Sequence, residues 1–488
     1  MTSSSSTDFP PPALRRIKQL PGPFSWPLAG NALQLNRRSV HQTVEQWARR
    51  YGPLFRICFG PQKVLVVADS ALVAAILRDR PDGFRRPEVT ARVSAEMGGV
   101  PGLFSVEGTQ WRNQRKVVMA AFAPHAIKAY FPALVKVALR LRERWDKAAL
   151  AGTPIALTDD LKRYTVDIIA GLAFGTEVDT IGSGEDVIQR HLDEIMPAVA
   201  RRSVALIPYW RYFKLPADRR LDRSGAIVRT MVADLIAAAR LRMQANPALH
   251  QRPGNLLEAF IAAADTAGSG VDDTAVAGNV ITMLLAGEDT TANSLAWLLY
   301  LLRRHPQALR RAQEEVLRLA PDTAAFDIAR MDSLDYLDAC IHESMRLKPV
   351  APFMPLEALR DTTVADIHVP AGSMVWCVLR HDGVDEQQVQ GAGVFQPERW
   401  LAGGEAGAAI DKRASIPFGS GARTCPGRYL ALLEIKVAMA MLLSTYDIDS
   451  VATPDGSEPV EEMNFVMAPG GLQMRLRKRV LVSAQQEA

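Results

Sequence analysis

Between Asp272 and His305 the chain carries no proline, opens on Asp272 and Asp273, and closes on Arg303, Arg304 and His305. Acids at the start and bases at the end complement a helix dipole, so one helix is expected across the whole stretch. About 30 residues rising 1.5 Å each make a rod of roughly 45–50 Å, long enough to cross a domain. The rest of the fold has to be built around that rod.

Most of the sequence supplies helices to cover it. From about Ser70 to Leu347, Ala-, Leu- and Arg-rich segments repeat with a helical period. Breaks are expected at Pro81, Pro101, Pro132, Pro154, Pro208 and Pro216. Pro306 is placed to start the next helix, and Leu337–Leu347 reads as another. Strands are few. Leu54–Phe59 and Lys63–Val67 flank Gly60-Pro61 as a hairpin, and Val364–Leu379 reads as two short strands around Pro370-Ala371-Gly372. Leu472, Met474 and Leu476 alternate with polar residues as a half-buried strand, whose outer face accounts for the basic cluster Arg475–Arg479. The fold class expected is mainly α with a small β region. Residues 1–20, rich in Ser, Thr and Pro, read as a loose tail, and 21–488 as one domain.

Composition narrows the setting. Apolar residues are 48% and charged residues 23% of the 488, which excludes a disordered chain. A net charge of +4 is too weak to argue for nucleic acid. Four cysteines in so long a chain form no disulfide framework and suit a reducing compartment. The apolar run Leu295–Leu302 falls well short of the ~18–20 residues a spanning helix needs. A cytoplasmic monomer without a membrane span is therefore expected.

Four features carry chemistry. The first is the loop Phe418-Gly419-Ser420-Gly421-Ala422-Arg423-Thr424-Cys425-Pro426-Gly427. Its glycines let the backbone approach something flat. Cys425 stands just before a helical pattern running to about Leu443, where unpaired N–H groups and the dipole favour a thiolate. Pro426 suits the first helical turn. Arg423 could hold an anionic group, and Phe418 could shield the sulfur. A single thiolate so presented suits an iron centre with one protein ligand. Cys58, Cys340 and Cys377, in apolar surroundings, read as inert core residues.

The second is Ala286-Gly287-Glu288-Asp289-Thr290-Thr291 in the middle of the long helix. A mid-helix glycine costs about 1 kcal/mol against alanine, so this local fault needs a cause. Thr290 can bond back to the carbonyl of Ala286 and open a groove for a small ligand, with Asp289 and Thr290 placed for a proton relay. Tight helix packing through small residues accounts for the glycine equally well.

The third is Glu343-Ser344-Met345-Arg346, where positions i and i+3 share a face and can pair. Glu315 and Arg318 repeat that spacing, but Tyr336, Leu337, Cys340 and Leu347 mark the later helix as buried. Arg399 could then complete a mutually satisfied triad. The fourth is Trp111-Arg112-Asn113-Gln114-Arg115, whose Trp111 and Arg115 share a helix face and can both donate hydrogen bonds.

In their order and spacing, Asp289-Thr290, Glu343-x-x-Arg346, Arg399 and Phe418-x-x-Gly421-x-Arg423-x-Cys425-x-Gly427 resemble the motif series of the cytochrome P450 family. Trp111-x-x-x-Arg115 falls where that family's C helix is expected. The resemblance runs from about Pro21 to the final strand and suggests a soluble, bacterial-type member. It implies a P450 fold, with haem b between a long I helix and the proximal cysteine loop and L helix. Cys425 would ligate the iron. Trp111, Arg115, Ala286, Phe418, Gly419, Arg423 and Gly427 would contact the cofactor. Thr290, Asp289 and Glu288 would serve catalysis, and Glu343, Arg346 and Arg399 the structural triad. The implied reaction inserts one oxygen of O2 into a lipophilic substrate such as a fatty acid, terpenoid or steroid. A P450-fold peroxygenase or isomerase, or a haem-binding sensor, is the alternative, and the acid–alcohol pair disfavours both.

Two departures matter. Many members carry an arginine that grips a haem propionate where Leu356 stands here; either Arg360 reaches over or that propionate is held otherwise. No Gly-x-Gly-x-x-Gly element or flavin-type domain follows Cys425. Electrons from NAD(P)H are therefore expected through a ferredoxin or flavodoxin and its reductase, steered by Arg112, Arg115, Lys116, Lys412, Arg413 and Arg428. Phe104, Phe353 and Met467 are candidates for an apolar substrate pocket, with Ile207, Tyr209 and Trp210 in a more variable region. Arg85 or Arg86 could hold a carboxylate at the channel mouth, although a solvated surface arginine is the commoner reading.

Overall fold

The computed structural model describes residues 14–183, 187–203, 205, 207–401 and 414–479. The long helix is there, Asp273–Arg304, capped by Asp272, whose carboxylate accepts from Ala275 N at 2.7 Å. From Thr291 to Leu302 every residue is buried. The apolar run Leu295–Leu302 is thus the middle of a core helix, and each such leucine contributes about 1.5–3 kcal/mol by leaving water. No single helix among the described residues is long and apolar enough to cross a membrane.

The neighbour that fixes the rod is the helix Leu157–Phe174. At Gly287 the Ile169 side chain packs so close to the long helix that a Cβ would lie 2.3 Å from Ile169 Cγ1. Close packing therefore accounts for that glycine. Helices Pro124–Ala151, Pro306–Leu319, Asp335–Leu347 and Arg428–Thr445 complete the main apolar cluster.

The largest sheet has five strands in the order Leu54–Phe59, Gln62–Val67, Met374–Val378, Phe353–Ala358, Phe84–Arg85. The expected hairpin pairs Leu54 with Val67 and Phe59 with Gln62. One face packs on the helix Ser70–Arg78 through Leu65, Val67, Leu356 and Cys377; the other packs on Val40–Tyr51 through Phe55, Val66 and Trp376.

Several sequence expectations change. Pro132 lies inside Pro124–Ala151 without ending it; it is exposed, where the carbonyl it frees can bond water. Pro216 does mark a helix boundary, beginning the helix Pro216–Ala245. The segment 362–378 forms three strands, not two, and those flanking Pro370 belong to different sheets. Residues 15–20, expected in the tail, belong to the fold: Arg15–Arg16 pairs with Ile367–Val369, and Ile17 and Leu20 are buried.

Candidate active site

The cysteine loop folds back on itself through Cys425 N–H, which donates to Phe418 O at 2.9 Å. Gly419 and Gly421 both take φ +73°, which a side chain would oppose. Gly421 also sits where a Cβ would lie 2.7 Å from Arg78 Cα. Gly427 caps the helix Arg428–Thr445, so Pro426 precedes that helix rather than opening it. Cys425 is exposed, unlike Cys58, Cys340 and Cys377. Yet burial pushes its thiol up, against a hydrogen bond from Gly427 N–H and the charges of Arg115 and Arg428. A bound cation would reverse the balance, since a coordinating thiol is deprotonated outright.

On the long helix Ala286 is exposed although Met283, Leu284 and Glu288 are buried. Thr290 Oγ1 donates to Ala286 O at 2.8 Å, the bond its position predicts. The helix stays continuous there. At 100° per residue, 286 and 290 share a face while 288 lies across the helix. Glu288 is 3% exposed, so its assignment to catalysis is corrected to a buried position on the opposite side. Asp289 flanks the accessible face, and its Oδ1 lies 2.9 Å from Lys162 Nζ.

Glu343 forms the triad expected. Arg346 holds it through Nε at 2.8 Å and Nη2 at 2.6 Å, and Arg399 Nε lies 3.4 Å away. Gln396 N–H and Trp400 Nε1–H donate to the same carboxylate at 2.9 Å each. Arg346 donates to the carbonyls of Gly383 and Ala392, and Arg399 to those of Gln390 and Gly391. Apart from Arg399 Nε, which makes only the ion pair, these partners explain how so many charges stay buried.

A fit to haem can be tested on the arginines. Arg423 lies 4.7 Å over the Trp111 ring and donates to Val106 O and Glu107, while its Nε has no partner. Arg115 donates to Thr424 O at 2.7 Å. Arg86 lies 3.3 Å over the Phe104 ring and donates to Phe104 O; it is not the solvated residue expected. Burial, then the charges of Arg80 and Arg423, push its guanidinium well below the usual value. Arg423 is pushed down to about 10, by burial first. Arg80 is buried, with Nε and Nη2 unpartnered. Glu107 is the carboxylate that acts on Arg80, Arg86 and Arg423 alike. Three guanidinium groups around one carboxylate, with Arg115 beside Arg423, are incomplete without further anions. The two propionates of haem b, above a single thiolate ligand, fit that donor set. Among the described residues no group of three or more His, Cys, Asp or Glu side chains could hold a metal instead.

Other assignments are corrected. Phe353 stacks 5.4 Å from Trp376 on the sheet face toward Val40–Tyr51, away from the cysteine loop. Met467 is fully buried, with its carbonyl accepting from Trp297 Nε1. Phe104, 36% exposed and 5.8 Å from Phe465, remains at an accessible surface. Trp210 is buried and Ile207 exposed. Arg360 pairs with Asp79 at 2.8 Å and does not reach the space below Leu356. Arg85 pairs with Glu88 and Glu357. Arg112 pairs with Asp82, and Lys412 and Arg413 lie outside the described residues. The surface beside the cysteine loop is of mixed charge: a groove of about 1000 Å³ carries Arg311, Arg318 and Arg428 but also Glu314, Glu315 and Asp338.

The family model for cytochrome P450 matches residues 20–476, and the chain belongs to that family. It is 28% identical over 448 residues to a self-sufficient cytochrome P450 monooxygenase of Aspergillus niger, covering 89% of this chain and 41% of that one. It is 28% identical over 457 residues to a chloroplastic carotene epsilon-monooxygenase of Arabidopsis thaliana, covering 89% and 81%. The crystal structure of the cytochrome P450DA heme domain superposes with a TM-score of 0.81 at 24% identity, covering 96% and 99%, which shows the fold. The chain thus spans about two-fifths of the length of its self-sufficient relatives. These relatives are fungal and plant proteins and lend no support to the bacterial type expected.

Proposed function

We propose that the protein is a haem-thiolate monooxygenase, converting a substrate C–H bond, O2, two electrons and two protons into C–OH and water. The observation that carries this reading is the exposed Cys425 in a loop folded back onto Phe418 O, with guanidinium nitrogens of Arg80 and Arg423 left buried and unpartnered in the same molecule. When bound, thiolate-ligated haem supplies dioxygen activation, because the sulfur's electron density favours O–O cleavage. The chain's own groups do the rest. Thr290 commits its proton to Ala286 O, leaving its oxygen free to accept a hydrogen bond from a water at the accessible face. Asp289, anchored by Lys162, stands one residue away as the acid that passes protons inward from the Leu157–Phe174 helix. The buried triad fixes the helix Asp335–Leu347 against the loop 390–400.

The substrate proposed is a lipophilic small molecule, such as a fatty acid, terpenoid or steroid. The plant relative named for carotene supports the lipophilic class. Electrons are proposed to arrive from a ferredoxin or flavodoxin and its reductase, with exposed Arg112, Lys116 and Arg428 as contacts. The self-sufficient relatives make the donor the part of this reading that most needs its own test. Steady product formation with NAD(P)H and a surrogate ferredoxin pair supports a separate donor; none with any soluble donor rejects it. The deciding measurement is the spectrum of the dithionite-reduced protein under carbon monoxide. A Soret band at the strongly red-shifted, thiolate-ligated position is expected, and an unshifted band or no haem overturns the assignment.

A further inference from the structure

We propose that Arg80 holds a carboxylate of the cofactor, taking over from the loop after Ser70–Arg78 the part that an arginine at position 356 would play from the strand. This rests on the haem reading above. Three observations carry it.

Arg80 is 4% exposed, and two of its three guanidinium nitrogens have no hydrogen-bond partner. A buried cation left so is costly, and its geometry is that of a fork waiting for an oxyanion. Its third nitrogen, Nη1, touches only the Met354 sulfur, at 3.5 Å, which is a weak acceptor.

That contact also places it. Met354 and Leu356 lie two apart on the strand Phe353–Ala358 and so share a face, and Leu356 packs there with Leu77 and Cys377. Arg80 therefore stands over the face from which a residue at 356 projects. Leu356 is fully buried in apolar contacts, and Arg360 is engaged by Asp79. Neither can serve.

The charge around it points the same way. Arg86 and Arg423 act on the same region, and Glu107 already accepts from Arg423. A second anion is needed to satisfy Arg80, and a porphyrin carries two.

The test uses the haem-loaded protein. Transfer of haem to an excess of a high-affinity apoprotein acceptor, followed in the Soret region, is expected to be at least tenfold faster for Arg80→Met and Arg80→Gln than for the wild type. Arg80→Lys, which keeps the charge, is expected within about threefold. The propionate bending band in the resonance Raman spectrum should shift in all three, which a merely structural arginine would not cause. Equal transfer rates overturn the proposal, as does faster transfer with an unmoved propionate band. Should Arg80→Met fail to fold, the band in Arg80→Lys decides alone. A wild type that binds no haem would overturn the function itself; a wild type that binds haem indifferent to Arg80 overturns only this inference.

Discussion

Lys162 Nζ lies 2.9 Å from Asp289 Oδ1, tying the helix Leu157–Phe174 to the acid beside Thr290. Both side chains are partly buried. Its Coulomb energy is modest, about 1 kcal/mol or less. Its effect is on where the carboxylate stands. Asp289→Asn is expected to lower turnover at least tenfold, and Lys162→Met to give a smaller loss of the same kind. Product formed per NAD(P)H consumed checks both; an unchanged ratio in Asp289→Asn removes Asp289 from the relay.

Thr290→Val keeps the β-branch and removes the hydroxyl. Because that hydroxyl bonds back within the helix, its loss should leave the melting temperature nearly unchanged, while product yield per electron falls several-fold. A variant that melts far lower with its yield intact would mark Thr290 as structural.

Gly287 faces Ile169 with no room for a methyl group. Gly287→Ala is expected to cost about 1–3 kcal/mol despite alanine's better helix propensity. Adding Ile169→Ala should recover part of that loss. Denaturant midpoints for the two single variants and the double variant test the coupling, and strict additivity would deny the contact.

Glu434 is 2% exposed in the helix Arg428–Thr445, and burial raises its carboxyl from 4.5 to about 8, against a hydrogen bond from Thr291. Between those values the folded chain holds a proton that the unfolded chain has lost. This group therefore makes stability fall as pH rises across that window, by up to ~1.4 kcal/mol per pH unit. Glu434→Gln should flatten the decline between pH 5 and 8. Urea unfolding at pH 5, 6.5 and 8 reads the slopes; identical slopes would mean that Glu434 is ionised in the native state.

Glu343 receives two arginines, a backbone N–H and an indole N–H in full burial. Glu343→Ala strands both guanidinium groups, for an expected loss of about 3–5 kcal/mol. Glu343→Gln keeps the acceptor oxygen and should lose less. Thermal melts and haem content per chain report the difference.

Where local pattern decides, the sequence is informative. The back-bond of Thr290 follows from i,i+4 spacing, and the pairing of Glu343 with Arg346 from i,i+3 spacing in an apolar helix. The cysteine loop is legible because its glycines and its thiol are contiguous. Phe353 misleads through strand parity: one residue along, Met354 turns to the opposite face and meets Arg80. Met467 misleads because only tertiary packing tells a pocket wall from a core residue. Lys162 and Glu107 leave no local signal, since each gains its role from a partner more than a hundred residues away. Arg80 is the intermediate case: Leu356 signals that something must replace it, and only the fold says what.

The gathering of Arg80, Arg86, Arg115 and Arg423 bears on how the molecule is made. A newly synthesised chain must bring these four cations together before or while it meets a dianion, and mutual repulsion opposes that step. On the haem-thiolate reading proposed above, the porphyrin would act as a counterion for folding as well as a catalyst. Multivalent anions in the refolding buffer should partly substitute for it, and cofactor supply, rather than translation, would set how much mature protein a cell accumulates.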